Sequence, residues 1–248
     1  MELVQKVDII NYTQKRVENN MKKIIIASGG LDSTTLLYDL LKTNPKKDVI
    51  ALSFDYGSNH ARKELTAINK TCKKLGVKHH VINLKKVFKD FKSSLLGGEI
   101  PEGHYKEDNM KSTVVPFRNG ILLSIAVGYA ESVDADCVYY GAHAGDHTIY
   151  PDTTIEFISA MNNAAHTGTW EGIKILAPYA NLTKSDILDI GLKLGVDYSL
   201  TWTCYKGQRL PCGKCGACIE RNEAFYNKHK IDPLYKNINK WIEDVARL

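Results

Sequence analysis

Residues 24–35 read Ile-Ile-Ile-Ala-Ser-Gly-Gly-Leu-Asp-Ser-Thr-Thr. A short apolar run that stops at two glycines, followed by Leu36, Leu37, Leu40 and Leu41 at helical spacing, reads as a strand turning directly into a helix. The start of a helix carries free N–H groups and the positive end of the helix dipole, so such a turn suits an anion. Gly29 and Gly30 let backbone approach phosphate oxygens closely, and Ser28 and Ser33 add hydroxyl donors. Asp32 would repel a bare phosphate, which leaves it to orient the loop or to hold Mg²⁺. The Gly-Lys-Ser/Thr of a Walker loop is absent. An ordinary turn capped by Asp32 or Ser33 is the competing reading.

The same alternation continues along the chain. Val49–Phe54 is a buried strand, Leu65, Ile68, Cys72 and Leu75 mark a helix closed by Gly76, and His80–Leu84 is a third strand. Asn119–Val133 is a long helix, Cys137–Tyr140 a fourth strand and Ile155–Ala165 a helix. Ile173–Ala177 is a fifth strand, and Thr183 caps a helix that Gly195 ends. Strands separated by helices predict an α/β fold, a doubly wound parallel sheet with right-handed crossovers and helices on both faces. Leu3, Val7 and Ile10 give residues 1–20 a short helical pattern, read as an N-terminal extension. Residues 21–200 are then the nucleotide-binding domain and 201–248 a C-terminal metal-binding helical segment.

With 248 residues, 44% of them apolar, the chain can bury a full core. The longest apolar candidate for a membrane span, Ile121–Ala130, is short and interrupted by Ser124 and Gly128. No apolar block follows a basic N-terminus, so a cytoplasmic protein with no membrane partner is expected. A net charge of +5 accommodates an anionic ligand but lacks the strong basic bias of a nucleic-acid binder.

In doubly wound sheets ligands lie beyond the carboxyl ends of the strands, so the residues there are the candidates. After strand two come Asp55, Tyr56 and His60, where Asp55 and Tyr56 suit a ribose or adenine, or else form a plain turn. Arg118 and Asn119 open the long helix, and a cation there is unfavourable unless it serves an anion. Lys184 raises the same argument, against a merely solvated lysine. Strand four leads into His143, Asp146, His147, Tyr150 and Asp152. Their mix of His and Asp suggests metal at first sight, but they lack a ligand spacing and fit a polar substrate pocket better.

Cys72 and Cys137 stand alone in apolar stretches and read as core residues. Cys204, Cys212, Cys215 and Cys218 are different: four thiols in one loop of a chain in a reducing compartment point to a metal before disulfides. Four thiolates close a tetrahedral Zn²⁺ site, which is structural because no coordination position stays open. An iron–sulfur cluster is the competitor. Lys206, Arg209, Lys214 and Arg221 are placed to offset the charge of the thiolates.

Ser28–Thr35 resembles the signature of the PP-loop ATP pyrophosphatases, whose members bind ATP, adenylate a substrate oxygen and let a nucleophile displace AMP. The resemblance assigns Ala27, Ser28, Gly29, Gly30, Leu31, Asp32, Ser33, Thr34, Thr35, Leu36 and Leu37 to ATP with its Mg²⁺, and Asp55 joins them. Phe54-Asp55-Tyr56-Gly57, Val115–Asn119, Gly141–Asp152, Leu182–Ile187 and the Cys212–Cys218 tail, taken in order, resemble the QueC family of 7-cyano-7-deazaguanine synthases over residues 22–226.

This implies a ligase that joins 7-carboxy-7-deazaguanine and ammonia to a nitrile with ATP, through an adenylate and an amide. Asp32, Ser33, Arg118 and Lys184 would be catalytic, with Arg118 and Lys184 neutralising the departing pyrophosphate. Tyr56, His60, Asn119, His143, Asp146, His147, Tyr150 and Asp152 would hold the substrate, and the four cysteines one Zn²⁺. Such enzymes are often homodimers. The chain departs from the pattern at Thr153-Thr154, where relatives commonly have Cys-Arg, and at Phe117, where a small residue is usual. Another amidating or tRNA-modifying PP-loop enzyme, and a zinc-ribbon nucleic-acid binder, are the other readings.

Overall fold

The computed structural model describes residues 21–104, 108–144, 150–235 and 237–246; the expectations for residues 1–20, Asp146 and His147 lie outside it. Strands β1 (Lys22–Ile26), β2 (Val49–Asp55), β3 (Lys78–Asn83), β4 (Ala135–Tyr139) and β5 (Lys174–Leu176) form one sheet in the order β3-β2-β1-β4-β5. Every pairing is parallel. Helices α1 (Leu31–Thr43), α2 (Ala61–Leu75), α3 (Arg118–Ser132), α4 (Ile155–Gly168) and α5 (Lys184–Lys193) connect or follow the strands, and α6 (Gly216–Asn227) and α7 (Ile238–Val245) complete the described chain.

The alternating pleat of β1 explains its unbroken apolar run. Ile24 joins a core with Leu122, Leu123 and Ala126 of α3, while Ile25 joins one with Leu36, Leu37 and Ile187 on the opposite face. Both isoleucines are fully buried. A strand covered on both sides is apolar at successive positions, as doubly wound sheets require.

The chain winds outward from β1 to β3 and then returns to place β4 on the other side of β1. The carboxyl ends of β1 and β4 therefore flank the switch point at which a crevice opens.

The edge strands depart from the sequence reading. The third strand spans Lys78–Asn83 rather than His80–Leu84, because it pairs on one side only and its exposed polar residues give no apolar signal. The fifth shrinks to Lys174–Leu176: the N–H of Ile173 donates to Thr169 Oγ1 and that of Ile175 to Asn162 Oδ1. Helix α5 has the expected start, with a reciprocal capping box between Thr183 and Asp186, and Gly195 follows its end with φ +69°. Cys72 and Cys137 are buried, as expected.

Met110–Ser132 reaches the length and mean hydropathy of a membrane span, which the shorter apolar run considered above does not. In the fold its residues Leu122, Leu123, Ala126, Val127 and Ala130 are packed in the core, so their apolar character is accounted for by the sheet.

The C-terminal segment contributes to both cores, Trp202, Cys204 and Cys218 to one, Phe225 and Trp241 to the other. Its anchor is Arg221, 1% exposed, whose Nε donates to Asp232 Oδ2 at 2.6 Å and whose Nη2 donates to Asp232 Oδ1 at 2.8 Å. Arg221 Nη1 donates to Thr201 Oγ1 at 2.8 Å. The guanidinium expected to offset the thiolates is thus held by a buried carboxylate.

Candidate active site

The loop after β1 is shaped by Gly29, at φ +86°. A Cβ there would lie 2.7 Å from the carbonyl oxygen of Glu64 and 2.8 Å from the nitrogen of Ile68, so glycine serves both the left-handed turn and the close approach of α2. The N-cap of α1 is Gly30 and no side chain caps it, contrary to the capped-turn alternative. Asp32 and Ser33 lie inside the first turn instead. Ser33 Oγ accepts from the N–H of Ser28 at 3.2 Å, and Ser28 Oγ accepts from the N–H of Gly30 at 3.2 Å. The serines brace the loop and leave a helix start open to an anion.

A cavity opens beyond this loop, and its polar lining falls into two groups. In the first, Ser28, Gly30, Asp32 and Ser33 meet His143 and Lys184. Lys184 Nζ lies 2.6 Å from Glu220 Oε2 and 3.4 Å from Asp32 Oδ2, and His143 Nε2 is 3.8 Å from both Asp32 Oδ2 and Glu220 Oε1. Among the described residues Asp32 Oδ1 is buried without a hydrogen-bond partner. A buried oxygen left so is costly unless a ligand fills its coordination, and a hard cation such as Mg²⁺ fits it.

In the second group Arg118 Nη1 donates to the hydroxyl of Tyr56 at 3.3 Å, beside Tyr150, Tyr205, His60 and Glu64. Burial works against the charge of Arg118, but the neighbouring Tyr56, Tyr150, Tyr205 and Asp152 outweigh it and hold the guanidinium above its ordinary value. Among the described residues Arg118 has no carboxylate within ion-pair distance, so it can receive an anion.

The remaining candidates are distributed unevenly. Ala27, Leu31, Asn119 and Tyr150 line the cavity. Leu36 and Leu37 face the core, and Thr35 Oγ1 bonds the hydroxyl of Tyr198 at 2.8 Å, while Thr34 is also buried and does not line the cavity. Asp55 turns outward to Lys85, at 3.0 Å. Asp152 accepts from the N–H of Asn119 at 2.8 Å, and its own carbonyl accepts from Asn119 Nδ2, so it braces the start of α3. Of the two departures, Thr153 lines the cavity and Thr154 caps α4 by accepting from the N–H of Phe157. Phe117, at φ +50° and 58% exposed, turns away from the cavity to meet Phe157 edge-on.

Several lining residues escaped the sequence reading: Glu64, Tyr140, Trp202 and Tyr205, with Glu220 behind Lys184. The spacing of His60 and Glu64 on one helical face was an available signal for the first.

The four cysteine sulfurs lie within 4.8 Å of one another, Cys212 and Cys218 3.9 Å apart. That spacing suits a tetrahedron around one ion with metal–sulfur bonds of ~2.3 Å. The N–H groups of Cys215 and Lys214 donate to Cys212 Sγ at 3.3 and 3.5 Å, and that of Cys212 donates to Cys204 Sγ at 3.4 Å, so backbone dipoles already support thiolate charge. Lys206 and Lys214 share Glu102 nearby.

The family profile described as queuosine biosynthesis protein QueC matches residues 22–229. The chain belongs to the QueC family. Among curated relatives, a 7-cyano-7-deazaguanine synthase of Pseudoalteromonas translucida is 50% identical over 220 residues, covering 86% of this chain and 97% of the relative. One from Methanoregula boonei is 49% identical over 217 residues, covering 86% and 98%. One from Porphyromonas gingivalis is 48% identical over 219 residues, covering 88% and 98%. The chain is an enzyme of this kind, in queuosine biosynthesis, acting on a small molecule.

Proposed function

We propose that this QueC-family enzyme converts 7-carboxy-7-deazaguanine and ammonia into 7-cyano-7-deazaguanine in two ATP-dependent steps. The observation that carries the reading is the pairing, in one cavity, of the uncapped start of α1, where Asp32 faces Lys184 of α5, with a separate guanidinium, Arg118, that among the described residues lacks a carboxylate partner. ATP occupies the Ser28–Ser33 loop with its phosphates on the open N–H groups of α1. Lys184, rather than Lys184 and Arg118 together, faces the pyrophosphate, because Arg118 stands with Tyr56 among the tyrosines. Arg118 holds the substrate carboxylate instead and aligns one oxygen with the α-phosphorus. Attack there forms the acyl-adenylate, ammonia displaces AMP to give the amide, and adenylation of the amide oxygen followed by loss of AMP gives the nitrile.

Mg²⁺, held at Asp32, would neutralise phosphate charge. The Cys204, Cys212, Cys215 and Cys218 set would hold one structural Zn²⁺ in a cytoplasmic, reducing setting. Thr153, at the cavity wall, contributes to the fit of the deazapurine. The test is product accounting from ¹⁸O-labelled carboxylate, Mg-ATP and ammonium. Two AMP per nitrile, with label in AMP and a chemically competent amide, are expected. ADP with label in inorganic phosphate would replace adenylation by γ-phosphoryl transfer.

A further inference from the structure

Glu64 stands in the first turn of α2, four residues beyond His60, and its side chain lines the cavity beside Arg118. It is held from two sides. Its main-chain carbonyl packs against Gly29, so its helix is set by the nucleotide loop itself. Its carboxyl lies 3.7 Å from Nε2 of the buried His60 and, among the described residues, accepts no hydrogen bond. Around the pair stand Arg118 from α3, Tyr56 from the turn after β2, and Tyr150 and Tyr205 from the loops that close the wall. A carboxyl brought so near a reacting centre and left without a donor is placed to receive one.

The reaction supplies the donor. At neutral pH ammonia arrives as ammonium, which has no lone pair to attack with. We propose that Glu64 is the catalytic base that takes this proton, with His60 positioning it; the inference rests on the amidation reading above.

Glu64 carboxylate and ammonium give Glu64 carboxylic acid and ammonia. The nitrogen lone pair then attacks the acyl carbon, the C–N bond forms, and the C–O bond to AMP breaks with its electrons on the phosphate oxygen. A second proton leaves the nitrogen as the amide appears. Adenylation of the amide oxygen expels pyrophosphate and releases a third N–H proton to solvent, and loss of the fourth as the C–O bond to AMP breaks leaves the nitrile. Between steps Glu64 returns its proton to solvent.

The charge balance of the pair agrees. Burial pushes Glu64 up to about 8, with Arg118 pulling the other way, and burial followed by Arg118 brings His60 down to about 4. Both therefore favour their neutral forms at pH 7, and an ammonium ion seated beside Glu64 favours the carboxylate that must accept its proton. A base closely matched to its acid transfers a proton with little bias either way.

Three assays on Glu64→Gln test this. Carboxylate-dependent exchange of pyrophosphate into ATP, which needs no ammonia, should stay within about threefold of the parent. Amide formation from ammonium at pH 7 should fall about 100-fold or more. Hydroxylamine, already neutral at pH 7, should still convert the adenylate to the hydroxamate near the parental rate. Glu64→Asp should recover part of the ammonium reaction.

Equal losses with ammonium and hydroxylamine, or loss of exchange itself, would overturn the assignment and make Glu64 a structural or substrate-reading residue. A parent enzyme that forms the amide but shows no exchange would fail the adenylation step of the reading above, whereas one that forms no amide from ammonium would fail the amidation reading, and the assignment with it.

Discussion

Gly29→Ala probes the contact on which the loop after β1 depends. An L-residue at φ +86° carries a conformational penalty of ~1–2 kcal/mol. The new methyl would also lie 2.7 Å from the Glu64 carbonyl oxygen and 2.8 Å from the Ile68 nitrogen. Both are backbone atoms of α2 and cannot rotate aside, so α2 or the loop must move, at ~1–3 kcal/mol more. The sum is ~2–5 kcal/mol, a fall in Tm of roughly 5–20 °C for a chain of this size.

Gly128→Ala in α3 is the control, since nothing lies within 4 Å of its new methyl. Helix propensity makes that change neutral or stabilising by up to ~1 kcal/mol. Thermal unfolding followed by circular dichroism, with and without Mg-ATP, separates the two, and ATP should raise the Tm of Gly29→Ala less than that of the parent. A Gly29→Ala protein melting within about 2 °C of the parent would refute the argument that the loop and α2 are in enforced contact.

Arg221→Met strands the fully buried Asp232 and should cost about 3–5 kcal/mol in urea unfolding, with adding Asp232→Asn restoring part of the loss. Cys212→Ser should abolish the one zinc per chain expected by elemental analysis and lower the Tm; iron in the parent would displace the zinc assignment. Folded Glu64 keeps its proton up to about 8 whereas the unfolded chain releases it near 4.5, so this group withdraws stability as pH rises through that window, by at most about 5 kcal/mol. Glu64→Gln lacks that dependence, and its Tm relative to the parent should climb between pH 5 and 8; a constant difference would contradict the shift. His60 acts in the opposite sense, its contribution being lost as pH falls from 6.5 through about 4.

What could be read along the chain was what is local along the chain. The glycine loop after β1, the Thr183 cap and the cysteine cluster are each built from residues a few positions apart, and each shows its local geometry in its spacing. The edge strands β3 and β5 did not, because a strand paired on one side carries little apolar patterning and its limits depend on bonds such as Ile175 to Asn162. Polar residues were harder still. Asp152 and Asn119, read as substrate contacts, are also bonded to each other, with Asn119 lining the cavity, while Arg221 is drawn to Asp232, beyond the end of its own helix. Glu64, Trp202, Tyr205 and Glu220 became neighbours of the loop only through tertiary folding, which no short window of sequence displays.

The N–H of Trp202 donates to the carbonyl of Gly29 at 2.9 Å, and the indole of Trp202 donates to the carbonyl of Cys204. Viewed in time, this short chain of bonds joins one of the first parts of the described chain to leave the ribosome with one of the last. The nucleotide loop can turn early, but its cavity lacks a wall until the cysteine loop has been synthesised and folded against it. The cavity is therefore completed late in biogenesis, and under the proposed function a chain released before its cysteine loop is in place would carry the right loop sequence without a finished pocket for ATP behind it.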